Sequence, residues 1–211
     1  KDLPDGFDNR CRKVIDFLPK RLAEFERIIK HNRIYYKRAK SVGIFTYEDC
    51  YAWRVTGPTL RAAGVARDLR KDEPYAAYPE VDFEVAVEYN ADVYDRFLVR
   101  MKEMRESCKI IRQCLDQMPD GPYIAKDAAH VLPRKVDVMR DAAAMVQDFY
   151  QVFQGPQAPK GEVYGATEAP KGEMAVYIRS EGEGKPARVR FCQPSFYHGQ
   201  AVPALVEGEM V

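Results

Sequence analysis

The chain holds 211 residues, 46% of them hydrophobic and 31% charged, with a formal net charge of +1. These proportions exclude a disordered chain, and the near-neutral balance excludes nucleic-acid binding through bulk positive potential. The longest uncharged run, residues 191–206, carries two prolines and a glycine, so it cannot form an apolar membrane-spanning helix.

The first element reads as a helix. Phe7, Cys11, Val14, Leu18, Leu22, Phe25 and Ile29 follow one another at steps of three and four, an apolar stripe along one face. Asp5 is the expected N-terminal cap, with Gly6 beside it. Pro19 lacks the donor that would bond the Ile15 carbonyl, which predicts a kink or two abutting helices. His31 and Asn32 end the element. Residues 33–56 read as short helices and turns, with Gly43 a break, Thr46 capping a turn through Ala52, and Trp53 as its anchor. From residue 57 to 78, prolines and glycines alternate with charges, which predicts an ordered loop. The strict alternation of residues 81–87 predicts a strand.

The clearest helix spans about residues 92–118, with Phe97, Met101, Met104, Cys108, Ile111, Leu115 and Met118 in one stripe. Val99, Ile110 and Cys114 add apolar surface off that stripe, the pattern of a helix central in a bundle. A proline- and glycine-rich stop at 119–122 leads into a loop reaching residue 133. Val136, Met139, Ala143, Val146, Tyr150 and Phe153 then predict a third long helix. Strands begin near Val163, and the pentapeptide Ala-Pro-Lys-Gly-Glu, present at 158–162 and 169–173, marks two similar strand starts. The organisation is 1–56 helical, 57–90 ordered loop and short strand, 91–155 two long helices, and 156–211 a β-hairpin region. Helices followed by strands give an α+β class.

Five cysteines at 11, 50, 108, 114 and 192 show no chelating spacing. Cys108 and Cys114 fall on different faces of one helix, and free thiols of this kind are most often small buried groups. His31, His130 and His198 are too widely separated to form a ligand set, so no metal site is expected. A Ser195/His198 pair lacks the strand–turn–helix setting and third member of a hydrolase triad, which leaves His198 as a loop hydrogen-bonding residue.

The most informative segment is 167–179. Pro170 fixes one backbone dihedral and Gly172 permits a conformation closed to other residues, so Glu168, Lys171 and Glu173 are held on a stiff corner where a strand begins. On this reading Lys171 has Glu168 or Glu173 as its carboxylate partner. Met174, Val176 and Ile178 alternate with Ala175, Tyr177 and Arg179, and a Gly-rich turn returns the chain through residues 187–192.

Two further groups of charges stand out. Arg61, Asp68, Arg70 and their neighbours Arg67 and Lys71 sit in the loop; alone they suit a phosphate or carboxylate clamp, but they lack the spacing of a nucleotide-binding loop, so NAD binding is not expected here. Arg96, Arg100, Glu103, Arg105 and Glu106 crowd the central helix. Arg96 and Arg100 are like charges one turn apart, which calls for carboxylates from other elements.

The Glu-Ala-Pro-Lys-Gly corner followed by a hairpin resembles the Glu-Ala-Pro-Arg-Gly segment of nickel–iron hydrogenase large subunits and their respiratory relatives. Gly-Pro-Thr-Leu-Arg-Ala-Ala-Gly at 57–64, Asp-Leu-Arg-Lys at 68–71, Pro-Tyr-Ala-Ala-Tyr at 74–78, Asp95-Arg96, Arg100, Met-Arg-Glu-Ser at 104–107 and the opening Asp-Leu-Pro-Asp-Gly-Phe at 2–7 narrow the likeness. Together they are similar to one family of NADH:quinone oxidoreductase (respiratory complex I) components, its hydrogenase-like quinone-module or D-type subunits.

The resemblance spans nearly the whole chain and implies a middle-to-C-terminal fragment of a longer domain with a hydrogenase-large-subunit-like fold. It implies a quinone as substrate, iron–sulfur clusters held by neighbouring subunits, and no metal or NAD bound by this chain. The implied partners are the terminal iron–sulfur subunit, the C-type subunit and the membrane quinone-channel subunit, with a peripheral location on the cytoplasmic side of a bacterial inner membrane (the matrix side in mitochondria). Glu168, Lys171 and Glu173 are expected to support the quinone cavity, and the charges at 61–70 and 96–106 to form structural ion pairs or interfaces. The fragment alone is expected to be inactive and poorly soluble. The alternatives are a membrane-bound nickel–iron hydrogenase large subunit, a related donor:quinone dehydrogenase, and a non-catalytic helical interaction domain. Lys171, where hydrogenases carry Arg, favours complex I.

Overall fold

A computed structural model of the chain describes residues 3–122, 131–155 and 157–208. His130 and much of the loop expected before residue 133 lie outside the described residues, as do Lys1, Asp2 and Pro156.

The architecture is α+β, organised around α6 (Val93–Gln117). Asp92 starts this helix: its Oδ1 accepts the Asp95 N–H at 2.8 Å, satisfying one orphan donor of the first turn. Its Oδ2 accepts the Ser41 N–H at 2.8 Å, so one carboxylate also pins a distant loop. Asp95, equally buried, accepts the backbone N–H groups of Tyr89 and Asn90. Both acids are buried because backbone donors replace the water they lose.

Helix α1 (Phe7–Ile29) lies antiparallel to α6, with Arg12 paired to Asp116, Asp16 to Arg112 and Glu26 to Arg105. These contacts fall on both sides of Pro19, and the helix runs unbroken through it rather than as two abutting helices. Asp5 does not cap it; Gly6, at φ 71°, occupies the cap position without a side-chain bond. Of the apolar stripe only Leu22 is buried, together with Ile15. Val14 and Phe25 face outward.

Helix α2 (Arg33–Ala39) is capped by Asn32, and α3 (Tyr47–Ala52) by a reciprocal box in which Thr46 and Asp49 each bond the other's backbone. Trp53 ends α3 half-exposed instead of anchoring it. The 57–78 segment contains two short helices, α4 (Pro58–Ala62) and α5 (Leu69–Asp72), and a 3-10 turn follows at Tyr78–Glu80.

Residues 81–87 do not form the expected strand. Val81 and Phe83 are buried and Asp82 and Glu84 exposed, so the alternation holds as far as Glu84, after which Ala86 is buried instead of Val85, and no second strand lies alongside among the described residues. Side chains of α6 serve the extended backbone instead. The Asp82 N–H donates to Gln113 Oε1 at 2.8 Å, Gln113 Nε2 returns a bond to the Asp82 carbonyl at 2.7 Å, and the Glu84 N–H donates to Glu106 Oε2 at 2.9 Å.

The expected third long helix is divided into α7 (Lys135–Val138) and α8 (Ala142–Phe153). Asp141 causes the division: its side chain accepts the Ala143 N–H and starts a new helix. Strands β1 (Gly161–Ala169), β2 (Gly172–Ser180) and β3 (Arg188–Cys192) form an antiparallel sheet in that order. Both Ala-Pro-Lys-Gly-Glu copies start a strand at their glycine, Gly161 and Gly172. The region is more than a hairpin, because α9 (Pro194–Val206) follows and buries Ala201 against Phe45, Cys50, Val55 and Leu60. His198 therefore stands on a helix.

Replacing Asp92 removes the α6 cap and leaves the Ser41 donor unserved. Asp92→Ala is expected to lower stability by about 2 kcal/mol in the full-length subunit, with Asp92→Asn losing about half as much. Chemical denaturation midpoints of the two variants check this.

Candidate functional site

The 168–173 corner is a two-residue hairpin turn. Ala169 pairs with Gly172 across it, and Pro170 and Lys171 form its tip. Two glycines seat this tip against the start of α4. A Cβ on Gly57 (φ 71°) would lie 2.4 Å from the Gly172 Cα, and one on Gly172 (φ 135°) 2.5 Å from Thr56 Oγ1. Neither position has room for a side chain, so the two backbones touch. The Glu173 N–H donates to Thr56 Oγ1 at 2.9 Å and locks the contact.

Behind the tip lies a buried cluster of charges. Arg61, on α4, donates from Nε and Nη2 to Glu103 Oε1 at 3.0 and 2.6 Å. Its Nη1 donates to Glu168 Oε1 and to the Arg67 carbonyl, each at 2.9 Å. Asp68 Oδ2 stands 3.7 Å from the same Nη1, and Asp68 is itself gripped by both ends of the Arg70 guanidinium at 2.9 and 2.6 Å. Glu168 also takes the Leu69 N–H at 3.4 Å, while its own N–H donates to the Tyr75 hydroxyl at 3.0 Å. Three carboxylates thus surround two guanidiniums in a nearly dry interior.

The electrostatics follow from that arrangement. Burial pushes the Glu168 carboxyl above its ordinary value, and the shared Arg61 does not fully offset this. Asp68 is also penalised by burial, but the Arg70 fork outweighs it and holds Asp68 below its ordinary value. Arg61 is disfavoured by burial and still raised overall by Glu103 and Glu168.

Lys171 is exposed at the tip. It does not take Glu168 or Glu173 as partner: Glu168 belongs to Arg61, and Glu173 lies 3.5 Å from Arg67 and accepts the Tyr164 hydroxyl at 3.3 Å. Among the described residues no carboxylate pairs with Lys171. Arg96 and Arg100 likewise meet carbonyl oxygens rather than carboxylates; Arg96 bonds those of Ala91 and Gly43, and Arg100 that of Arg96. Burial, then repulsion from Arg100, lowers the Arg96 pKa. Arg105 pairs with Glu26, and Glu106 with Lys109, both away from the corner.

A cavity of about 330 Å³ opens beside Thr56, walled by Tyr47, Cys50, Tyr51, Val55, Leu60 and Val65, with Arg54 and Arg67 at its polar side. Sequence reasoning missed this cavity, because its walls come from α3, α4 and the turns around them, none of which carries a motif. Burial pushes the Cys50 thiol up to about 12, so it is a neutral wall group. Cys50, Cys108 and Cys192 are buried, Cys11 is partly buried and Cys114 exposed; all five are free.

The whole chain, residues 1–211, matches the family described as the respiratory-chain NADH dehydrogenase 49 kDa subunit. The chain belongs to this family. It is 44% identical over 211 residues to the D-type NADH-quinone oxidoreductase subunit of Magnetococcus marinus, covering all of this chain and 53% of that protein. It is 45% identical over 214 residues to the D-type NADH-quinone oxidoreductase subunit numbered 1 of Chloroherpeton thalassium, covering 99% of this chain and 48% of that one. The C/D-type NADH-quinone oxidoreductase subunit numbered 2 of Aquifex aeolicus is 43% identical over 214 residues, which cover all of this chain and 36% of that relative. The chain thus spans about half the length of the D-type relatives it matches. None of these relatives is named a hydrogenase.

Glu168 provides a test of the cluster through pH. Its folded-state pKa is raised above the ordinary 4.5, so its contribution to stability is fully present below that value and is lost as pH rises through the folded pKa. Glu168→Gln removes that slope. The stability of the wild type relative to Glu168→Gln is expected to fall as pH rises from about 4 towards 7. Urea melts of both proteins across that range check the sign.

Proposed function

We propose that this chain is part of the quinone-reducing module of an NADH:quinone oxidoreductase, helping to form the quinone site and to couple electron transfer to proton translocation. The family match over every residue carries this reading. The relatives' names supply the substrate class, a quinone, and the electron donor, NADH.

In this reading the chain holds no metal or nicotinamide of its own. Iron–sulfur clusters in neighbouring subunits deliver the electrons, and the chain shapes and supports the cavity that receives the quinone. The neighbours are the terminal iron–sulfur subunit, the C-type subunit and the membrane quinone-channel subunit; the Aquifex relative's C/D name supports the second. No helix among the described residues is long and apolar enough to cross a membrane, which accords with a peripheral position, on the cytoplasmic side of a bacterial inner membrane or the matrix side of a mitochondrial one. The fold proposed for the whole subunit is hydrogenase-large-subunit-like.

The chemistry of the corner fits this role. A neutral quinone offers carbonyl oxygens, and its reduced forms carry negative charge or hydroxyls. Lys171 is an ammonium on a rigid tip with no competing carboxylate among the described residues, free to meet such an oxygen. Glu168 and Glu173 serve as supports, fixing the tip through Arg61 and Arg67. The apolar cavity next to Thr56 gives a ring-sized compartment close to the same corner.

Lys171→Ala in the intact complex is expected to assemble normally and to slow quinone reduction roughly tenfold, the loss of one charge-assisted hydrogen bond to the quinone oxygen. NADH oxidation by an artificial acceptor working upstream should continue at the wild-type rate. Quinone reduction at the wild-type rate in this variant would show that the corner is only a turn.

A further inference from the structure

Helix α3 ends in a geometry that calls for glycine, and an arginine stands there. The Arg54 N–H donates to the Tyr51 carbonyl at 3.2 Å and the Val55 N–H to the Cys50 carbonyl at 2.8 Å, while Val55 and Cys50 belong to one buried cluster. This paired-bond ending puts its linking residue in the left-handed region, which glycine enters freely and a residue with a Cβ enters at a cost. Arg54 holds that position at φ 54°. The backbone gains nothing from an arginine here, so its use lies in the side chain. A cation at a helix C-terminus also suits the helix dipole, but α3 is only six residues long and Arg54 gives its carbonyls no side-chain bond.

The Arg54 guanidinium pairs with no carboxylate among the described residues. It lies over the partly buried Tyr197 ring of α9, with Cζ 5.2 Å from the ring centroid, a cation–π contact that places the group without using its N–H donors. Arg54 also lines the cavity of about 330 Å³ beside Thr56. Arg67, the other cation of that lining, stands 3.5 Å from Glu173 and 3.6 Å from Glu73, so its charge is already answered. Most of the remaining lining is apolar or aromatic, with the Tyr47 and Tyr51 ring centroids 6.4 Å apart and Cys50, Val55 and Leu60 buried. An apolar cavity with one uncommitted planar donor suits a flat ring bearing a hydrogen-bond-accepting oxygen. We propose that Arg54 is a binding and specificity-determining residue for the quinone, its guanidinium donating to one ring carbonyl oxygen while the ring occupies this cavity. This rests on the quinone-reduction reading above. The bond forms with the oxidised ring and persists through reduction, so its loss is felt in KM more than in kcat.

The test uses the full-length subunit assembled in its complex, with rates normalised to the upstream artificial-acceptor activity. Arg54→Gly is expected to raise KM for a short-chain quinone about tenfold and to change kcat by less than about threefold. Arg54→Met keeps the stem and the left-handed backbone but has no donor, and is expected to match that KM; Arg54→Lys should raise it about threefold. Urea denaturation of the full-length subunit separates binding from structure. Arg54→Gly relieves the backbone, so its midpoint should equal or exceed that of the wild type. A short-chain quinone carrying a photoreactive group should label Tyr47 or Tyr51 in the wild-type complex, and label them only weakly in Arg54→Gly. A wild-type KM in Arg54→Met, an Arg54→Gly midpoint below that of the wild type, or labelling outside residues 47–67 would each overturn the proposal. Should Lys171→Ala and Arg54→Met both reduce quinone as the wild type does, the quinone-reduction reading of this face fails with it. A slow Lys171→Ala beside a wild-type KM in Arg54→Met removes only the role given to Arg54.

Discussion

One guanidinium holds the structure's distant parts together. Arg61 is 2% exposed and reaches Glu103, 42 residues on, and Glu168, 107 residues on. Those acids belong to α6 and β1, so a single side chain joins the short helix α4 to the longest helix and to the sheet. Burying such charges costs several kcal/mol each, recovered only when geometry and hydrogen bonds are complete. Here they are: Arg61 uses Nε and both terminal nitrogens, and Glu168 accepts on both oxygens. The arrangement does not tolerate partial opening, because withdrawing the corner would leave Glu103 and Arg61 mismatched in the interior. Its value lies in fixing position more than in adding stability.

That fixity is passed to the surface by contacts of a different kind. Gly57 and Gly172 allow two backbones to meet where any side chain would hold them apart. The charged cluster sets where β1 ends, and the glycine contact sets where β2 begins. Between them only Pro170 and Lys171 remain, and proline removes one of the few torsions left. An exposed lysine ordinarily samples many directions; at this tip its backbone is held between two packed ends.

Much of this was legible in the sequence, and the failures have physical causes. Helix α6, the Thr46 cap, the two strand starts and the corner were readable because each depends on residues close in sequence. Residues 81–87 misled because alternation reports burial on one side and says nothing about what accepts the backbone hydrogen bonds. Gln113 and Glu106 accept and donate there in place of a strand. Asp141 divided a periodic helix through a local hydrogen bond stronger than the pattern around it. Helix α9 was hidden by its glycine and two prolines, although Pro194 sits in the first turn, where it is tolerated. The corner's charges were found, but their pairing was not. Lys171 is nearer in sequence to Glu168 and Glu173 than Arg61 and Arg67 are, and only the packing of α4 against β1 reassigns those acids.

The same logic explains why so much apolar surface faces outward. In the sheet, Val163, Ile178 and Val189 stand in register across three strands, as do Gly165, Val176 and Phe191. Alternation puts these six on one face and Ala166, Ala175 and Cys192 on the other, the face on which Ala175 and Cys192 are buried. Yet Val163 is 60% and Phe191 63% exposed. Helix α1 repeats the pattern: Val14, Phe17, Phe25 and Ile28 form a second stripe turned away from α6, and Phe149 and Phe153 stack on the open side of α8. An element apolar on two faces is built to be covered on both. Part of the apolar patterning in these elements thus finds no partner among the described residues, in a chain about half as long as its D-type relatives. The charged cluster behind the corner is complete in itself, so the site's geometry is set before those outer faces are covered.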